Sequence, residues 1–267
     1  MERINLSICD IIISIELPAN SRLYLNVPAR YKNFIASEKG KSGIYLDIKI
    51  AGFSRSQIPG INTVKNETII KGPGLRCILK RKKNAIYGKA IIRDNIYSFD
   101  TLLRLILSQT LLEKKGFLVH ACGLYLENKG ILLAGKSGSG KTTLSKKMPE
   151  NKVLSDELVC IRHYGETPYL TATPFRGEFG TPGINFRQKL NAIYFLNKES
   201  RNRIKSIPKD VALKCLLKLI LFFSDNPTDI QILLKSASKC IMHMPCYNIY
   251  LTKNIDYAGL RKLICSK

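Results

Sequence analysis

Acidic side chains are scarce in this chain: twenty Asp and Glu stand against forty-three Lys and Arg among 267 residues, a formal net charge of +23. Such a field draws in anions (nucleotides, acidic peptides, nucleic acid, membrane surfaces) and says nothing about fold. A Lys- and Ile-rich composition produces the same excess with no functional demand behind it. Also missing is any C-x-x-C pair. The eight cysteines, Cys9, Cys77, Cys122, Cys160, Cys215, Cys240, Cys246 and Cys265, are scattered, so zinc-ribbon and thioredoxin spacings are absent. They read as small buried apolar groups, not as a disulfide framework. The most apolar stretch, residues 211–223, holds Lys214 and Lys218 and is too short and too charged to span a bilayer. The apolar run at 11–15 is broken by Ser14 and followed by Glu16, which is not a secretory signal. No repeat recurs at a fixed period. No helix-turn-helix, RNA-binding sheet motif or zinc finger is visible. The expectation is a cytoplasmic, reduced setting with neither a membrane nor a nucleic acid as partner. What is present, 45 % hydrophobic and 24 % charged residues, is ordinary globular composition with enough chain to bury a sizeable core.

Residues 1–97 read as β-rich. Ile-, Val- and Tyr-rich segments at 11–17, 43–50, 67–71, 77–79 and 85–92 alternate with Gly, Pro, Asn and Ser punctuation. The cluster Lys80-Arg81-Lys82-Lys83 falls between two of these strands, at a hairpin tip. There it could hold an anion or simply be solvated and block edge pairing. The character changes at Ser98. Residues 98–116 carry apolar side chains at helical spacing, with Ser98 or Asp100 able to cap the start and Gly116 able to end the helix. A boundary at residue 97 follows, with a second region over 98–267. That region reads as α/β: strands at 117–126 and 130–134, a helix from Lys141, strands at 153–155, 158–162, 169–173 and 190–196, helices at 208–223 and 228–241, a strand at 248–251 and a last helix from about Ile255.

The chemistry concentrates after the strand at 130–134. Gly135-Lys136-Ser137-Gly138-Ser139-Gly140-Lys141-Thr142-Thr143 completes the pattern G-x-x-x-x-G-K-[S/T]. It follows an apolar strand and opens a helix, the context that separates a phosphate loop from a chance match. Glycines let successive backbone N–H groups turn toward phosphate oxygens, and the helix N-terminus adds partial positive charge. Lys141 can bridge the β and γ phosphates and Thr142 can offer its hydroxyl to Mg²⁺. ATP with Mg²⁺ is the expected ligand set. A carboxylate must then hold the metal or take a proton, and Asp156, just past the apolar Val153-Leu154, is placed for it, with Glu157 beside it. The bland alternative is a turn or cap acid. His120, one of three histidines, ends a strand; a lone strand His is more often packed or hydrogen-bonded than a ligand.

Taken in order, Val119-His-Ala-Cys-Gly123, the glycine loop, Leu154-Ser-Asp-Glu157 and Thr173-Pro-Phe-Arg-Gly-Glu178 resemble the HPr kinase/phosphorylase superfamily, phosphate-loop kinases related in fold to phosphoenolpyruvate carboxykinase. The resemblance covers roughly residues 98–200. It implies an α/β phosphate-loop kinase domain with a central mixed sheet, preceded by a β-rich region. It makes His120 the active-site histidine, Asp156 the base toward an acceptor hydroxyl and Glu157 a second metal-binding acid, and gives Arg176 a part beside Lys141 in stabilising the transferred group. Two departures separate the chain from true HPr kinases: those carry Asp-Asp where Asp156-Glu157 stands, and an acid two residues before the Arg, where this chain has Pro174 and places Glu178 afterwards. The chain is nearer the related branch that phosphorylates serine in ribosomally made peptides, or free serine. The expected partners are a nucleotide and a hydroxyl-bearing peptide, protein or small molecule; a homo-oligomer stays open. The competing classes are a nucleotide-regulated binding module, an NTPase without phosphotransfer, and a GTPase. For the last, Asn197-Lys-Glu-Ser200 lacks the carboxylate that would read guanine.

Overall fold

The computed structural model describes residues 1–36, 43–53, 58–136, 138–176 and 183–265. It is an α/β protein with two mixed sheets, of seven and ten strands. The chain divides into two units, Met1–Glu113 with Phe222–Gln231, and Lys114–Leu221 with Ile232–Lys267.

In the first unit the elements are β1 (Glu2–Ile8), β2 (Ile11–Leu17), α1 (Arg22–Arg30), β3 (Ile44–Ile50), β4 (Gly60–Val64), β5 (Glu67–Gly72), β6 (Leu75–Lys82), β7 (Ala85–Ile92) and α2 (Ile96–Glu113). The strands lie in the order β1-β2-β3-β7-β6-β5-β4. Strict alternation along β6 and β7 buries Leu75, Cys77 and Leu79 with Ile86, Ala90 and Ile92 on one face. Helix α2 packs over β4, β5 and β6, and Leu102, Leu105 and Ile106 are fully buried. This packing puts the division after Glu113 rather than at residue 97, because the helix shares its core with the strands before it. Its start is capped by Asn95, whose Oδ1 accepts from the Ser98 amide at 2.9 Å. Asp100 serves elsewhere, accepting from the Arg30 guanidinium and the Tyr31 hydroxyl, both at 2.6 Å.

The second unit runs β8 (Gly116–Val119), β9 (Ala121–Leu126), β10 (Lys129–Ala134), α3 (Lys141–Ser145), β11 (Val153–Ser155), β12 (Val159–Tyr164), β13 (Thr167–Thr171), β14 (Arg187–Lys198), β15 (Arg203–Ser206), α4 (Lys209–Leu217), β16 (Ile220–Leu221), α5 (Pro227–His243, begun in the segment grouped with the first unit), β17 (Cys246–Leu251) and α6 (Tyr257–Cys265). Two expectations are corrected. The helix read over 208–223 stops at Leu217, and the chain turns into the short strand β16. The single strand read over 117–126 is two, broken at His120: β8 pairs with β12 and β16, whereas β9 pairs with β10 and β11. The long strand β14 joins the antiparallel part, through β13, to a parallel part in which it lies between β10 and β17. Its run Ala192–Leu196 is apolar throughout because both faces are covered. Leu133, Tyr194 and Ile249 from these strands meet Leu144 of α3 and Leu260 and Ile264 of α6 in one core.

Candidate functional site

Pairing register brings the separate sequence motifs to one edge of the ten-stranded sheet. Strand β10 ends at Ala134, opposite Ala121 of antiparallel β9. One step outward, Gly135 opens the glycine loop and His120 precedes β9. On the far side of β9, Ser155 of β11 pairs with Gly123, so Asp156 leaves the sheet at the same edge. Strands β14 and β17 run parallel to β10 and end there as well. Ligands of such sheets gather beyond the carboxyl ends of parallel strands. A cavity of about 520 Å³ opens at this edge, lined by residues 138–144, His120, Asp156, Glu157 and the strand ends Asn197, Lys198, Thr252 and Lys253. Its volume falls within the roughly 300–1,000 Å³ of small-molecule sites.

The loop is built as its glycines demand. Gly138 has φ +76° and Gly140, capping α3, has φ +104°, backbone that side-chain-bearing residues rarely adopt. Lys141 is buried, and its Nζ donates to the carbonyls of Gly135 at 2.7 Å and Lys136 at 3.2 Å. Burial lowers its pKa, while Glu157 acts in the opposite direction. Thr142 and Thr143 are exposed to the cavity. The Ser139 hydroxyl is buried without a partner. Ser137 lies outside the described residues, as do Gly177 and Glu178.

Asp156 is only 4 % exposed, and its Oδ1 is buried with no hydrogen-bond partner. Burial raises its carboxyl pKa; a hydrogen bond from its own backbone amide opposes the rise most, Glu157 adds to it, and Arg176 and Lys146 also lower it. Burial and, less, the charge of Asp156 push the Cys122 thiol up. Glu157 is half-exposed, 3.6 Å from Nδ1 of His120. The His120 amide donates to Leu219 at 2.8 Å, which fixes the break between β8 and β9. Arg176 lies outside the cavity lining but acts electrostatically on Asp156. Among the described residues no three His, Cys, Asp or Glu side chains converge as a complete metal site. Asp156, Glu157 and the Thr142 hydroxyl, which line the cavity, are oxygen donors of the kind Mg²⁺ takes, one or two carboxylates serving beside substrate phosphates and water. The orphaned Asp156 oxygen is an unspent donor in that cavity.

Thr252 and Lys253 carry no local sequence signal, and Asn197-Lys198 entered the sequence reading only as an incomplete guanine motif. Their signal is topological: any strand parallel to β10 delivers its last residues to the loop's side. Asn197 lines the cavity, but its amide donates to the Phe195 carbonyl at 2.9 Å and approaches Asn248 Oδ1 at 3.4 Å, so it is already engaged within the sheet.

No protein-family model matches the chain, and no curated protein matches it by sequence. Among solved structures, the chain is similar to one described as the HPr(Ser) kinase/phosphatase from Coxiella burnetii, at 12 % identity and a TM-score of 0.33, over 56 % of this chain and 94 % of that one. Similarity at that level leaves function to the residues of the cavity. No helix among the described residues is long and apolar enough to cross a membrane.

Proposed function

We propose that the chain is an ATP- and Mg²⁺-dependent kinase that moves the γ-phosphoryl group to a hydroxyl acceptor, a serine of a peptide or protein or a small molecule. The observation that carries this reading is the buried, unpartnered carboxylate oxygen of Asp156, in the same cavity as Lys141 and Thr142. A buried carboxylate oxygen with no hydrogen-bond partner is costly to keep, which argues for a ligand or proton that it meets in use. The loop amides and Lys141 take the phosphates. The Thr142 hydroxyl and a carboxylate of the 156–157 pair hold Mg²⁺, which when bound neutralises charge on phosphate oxygens. Asp156 accepts the proton of the attacking hydroxyl; burial has raised its proton affinity, which suits a general base. Glu157 holds His120 toward the acceptor side, and Arg176 adds positive charge nearby. Positioning and electrostatics supply most of the rate in such transfers.

Radiolabelled ATP screened over serine peptides, free serine and sugars tests the reading. Lys141→Ala and Asp156→Asn should each lower transfer by about 10²–10⁴-fold, with Asp156→Asn keeping ATP affinity nearly unchanged. Transfer surviving in both variants would sink the assignment.

A further inference from the structure

The seven-stranded sheet of the first unit has one face covered by α2 and one open. The open face carries six exposed cations, Lys49, Lys71, Arg76, Lys80, Lys82 and Lys89. Among the described residues three carboxylates accompany them. Glu16 is paired with Arg3 at 2.7 Å and Glu67 with Lys80 at 2.6 Å, which leaves Asp47 at the centre. The register sets Lys71 directly opposite Arg76, with Ile91 and Lys49 completing the row. Neither Lys71 nor Arg76 has an ion-pair partner among the described residues. Like charges directly across a ladder destabilise a sheet, so this row holds repulsion that an anion would relieve. The next row sets Ile69 against Ile78 and Ile78 against Lys89, giving an apolar strip flanked by charge. Ile78 and Ile91 are 43 % and 44 % exposed. Two hollows of about 500 and 670 Å³ lie along this face and share Asp47, Ile78 and Lys89, so they form one trough.

We infer that this face docks an acidic polypeptide segment with interspersed apolar side chains. Charge complementarity selects an anionic partner, and the aliphatic strip selects a peptide over single-stranded nucleic acid. Sequence-tolerant nucleic-acid binding uses aromatic faces on which bases stack. Here Tyr45 and Tyr87 stack on each other, with ring centroids 5.0 Å apart and planes 10° from parallel, and the Lys82 ammonium lies 5.8 Å from the Tyr87 ring centre. Alternate side chains of an extended peptide repeat at roughly 6.5–7 Å, the same repeat as the sheet's own outward residues, so acids and aliphatics of the partner can meet cations and isoleucines in turn. The inference stands on the first unit alone and does not require the kinase reading.

Fluorescence anisotropy of the full chain with a labelled peptide of alternating Glu and Leu tests it, beside a Gln-for-Glu peptide and an oligothymidine of equal length. The acidic peptide should bind, the Gln peptide about tenfold or more weakly, and binding should fall with salt. Arg76→Glu converts the repulsive pair with Lys71 into an attractive one. It should therefore leave the melting temperature unchanged or higher while cutting peptide affinity at least about tenfold. Ile78→Ser should weaken binding without altering ATP affinity. Tighter binding of the oligothymidine, lost in Arg76→Glu, would overturn the peptide in favour of nucleic acid. Peptide binding unmoved by both substitutions would remove this face from the interaction.

Discussion

Asp156→Asn should make the ligand-free protein more stable while ending its chemistry. The carboxylate is 4 % exposed and one of its oxygens has no partner. A buried unsatisfied acceptor costs roughly 1–3 kcal/mol, and ionisation adds to that cost. Burial is the first cause of the raised pKa, above an ordinary 3.8. A raised folded-state value means that the group favours folding in its protonated form. That contribution is complete below the unfolded value of about 3.9 and is lost as pH climbs through the raised one. At neutral pH the ionised side chain is therefore a net cost that a neutral amide escapes. The amide keeps an unpartnered polar atom and sheds only the charge, so taking a gain of about 1 kcal/mol at about 2–4 °C per kcal/mol, the variant should melt about 2–4 °C higher at pH 7. The advantage should fade as the pH is lowered toward 4. Scanning fluorimetry without nucleotide from pH 4 to 8 reads both effects. A variant that melts lower throughout would show Asp156 to be a cap or internal partner, and the reasoning that reserves it for a ligand would fail.

In wild-type protein, Mg²⁺-ATP at about a hundred times its dissociation constant should stabilise the fold by roughly 2.7 kcal/mol; in Lys141→Ala the same titration should give no resolvable thermal shift. Gly140→Ala should cost about 1–3 kcal/mol in chemical denaturation without nucleotide, because φ is +104° there although space for a Cβ is open. In the first unit, Asp100→Ala strips Arg30 and the buried Tyr31 hydroxyl of their shared acceptor. It should lower stability by about 3–5 kcal/mol, read as a lower urea midpoint.

Local signals carried the glycine loop and the strand Val153–Ser155. Each is a short apolar run followed at once by residues whose spacing has a chemical reason. That His120 ends a strand was legible, but the change of partners there could not be read that way. Val119 and Ala121 are equally apolar, and only their partners separate them: Val159 and Ile220 for one, Ala134 for the other. Helix α1 was hidden for a related reason. Pro28 argues against a helix over Arg22–Arg30, yet Leu23 and Val27 are fully buried and the Asp94 carboxylate accepts from the amides of Arg22 and Leu23, both at 3.0 Å. Ser21 caps the helix locally, its hydroxyl accepting from the Tyr24 amide at 3.1 Å, but the Asp94 contacts come from far along the chain and lie outside any local window. The open sheet face makes the distinction sharpest. Alternation in β6 and β7 told which side chains point away from the core, and that is a property of each strand alone. That Arg76 stands against Lys71, and Tyr87 against Tyr45, is a property of register. Register is set by turns and by the burial of the opposite face. The consequences for binding therefore become visible only when strands are laid beside one another.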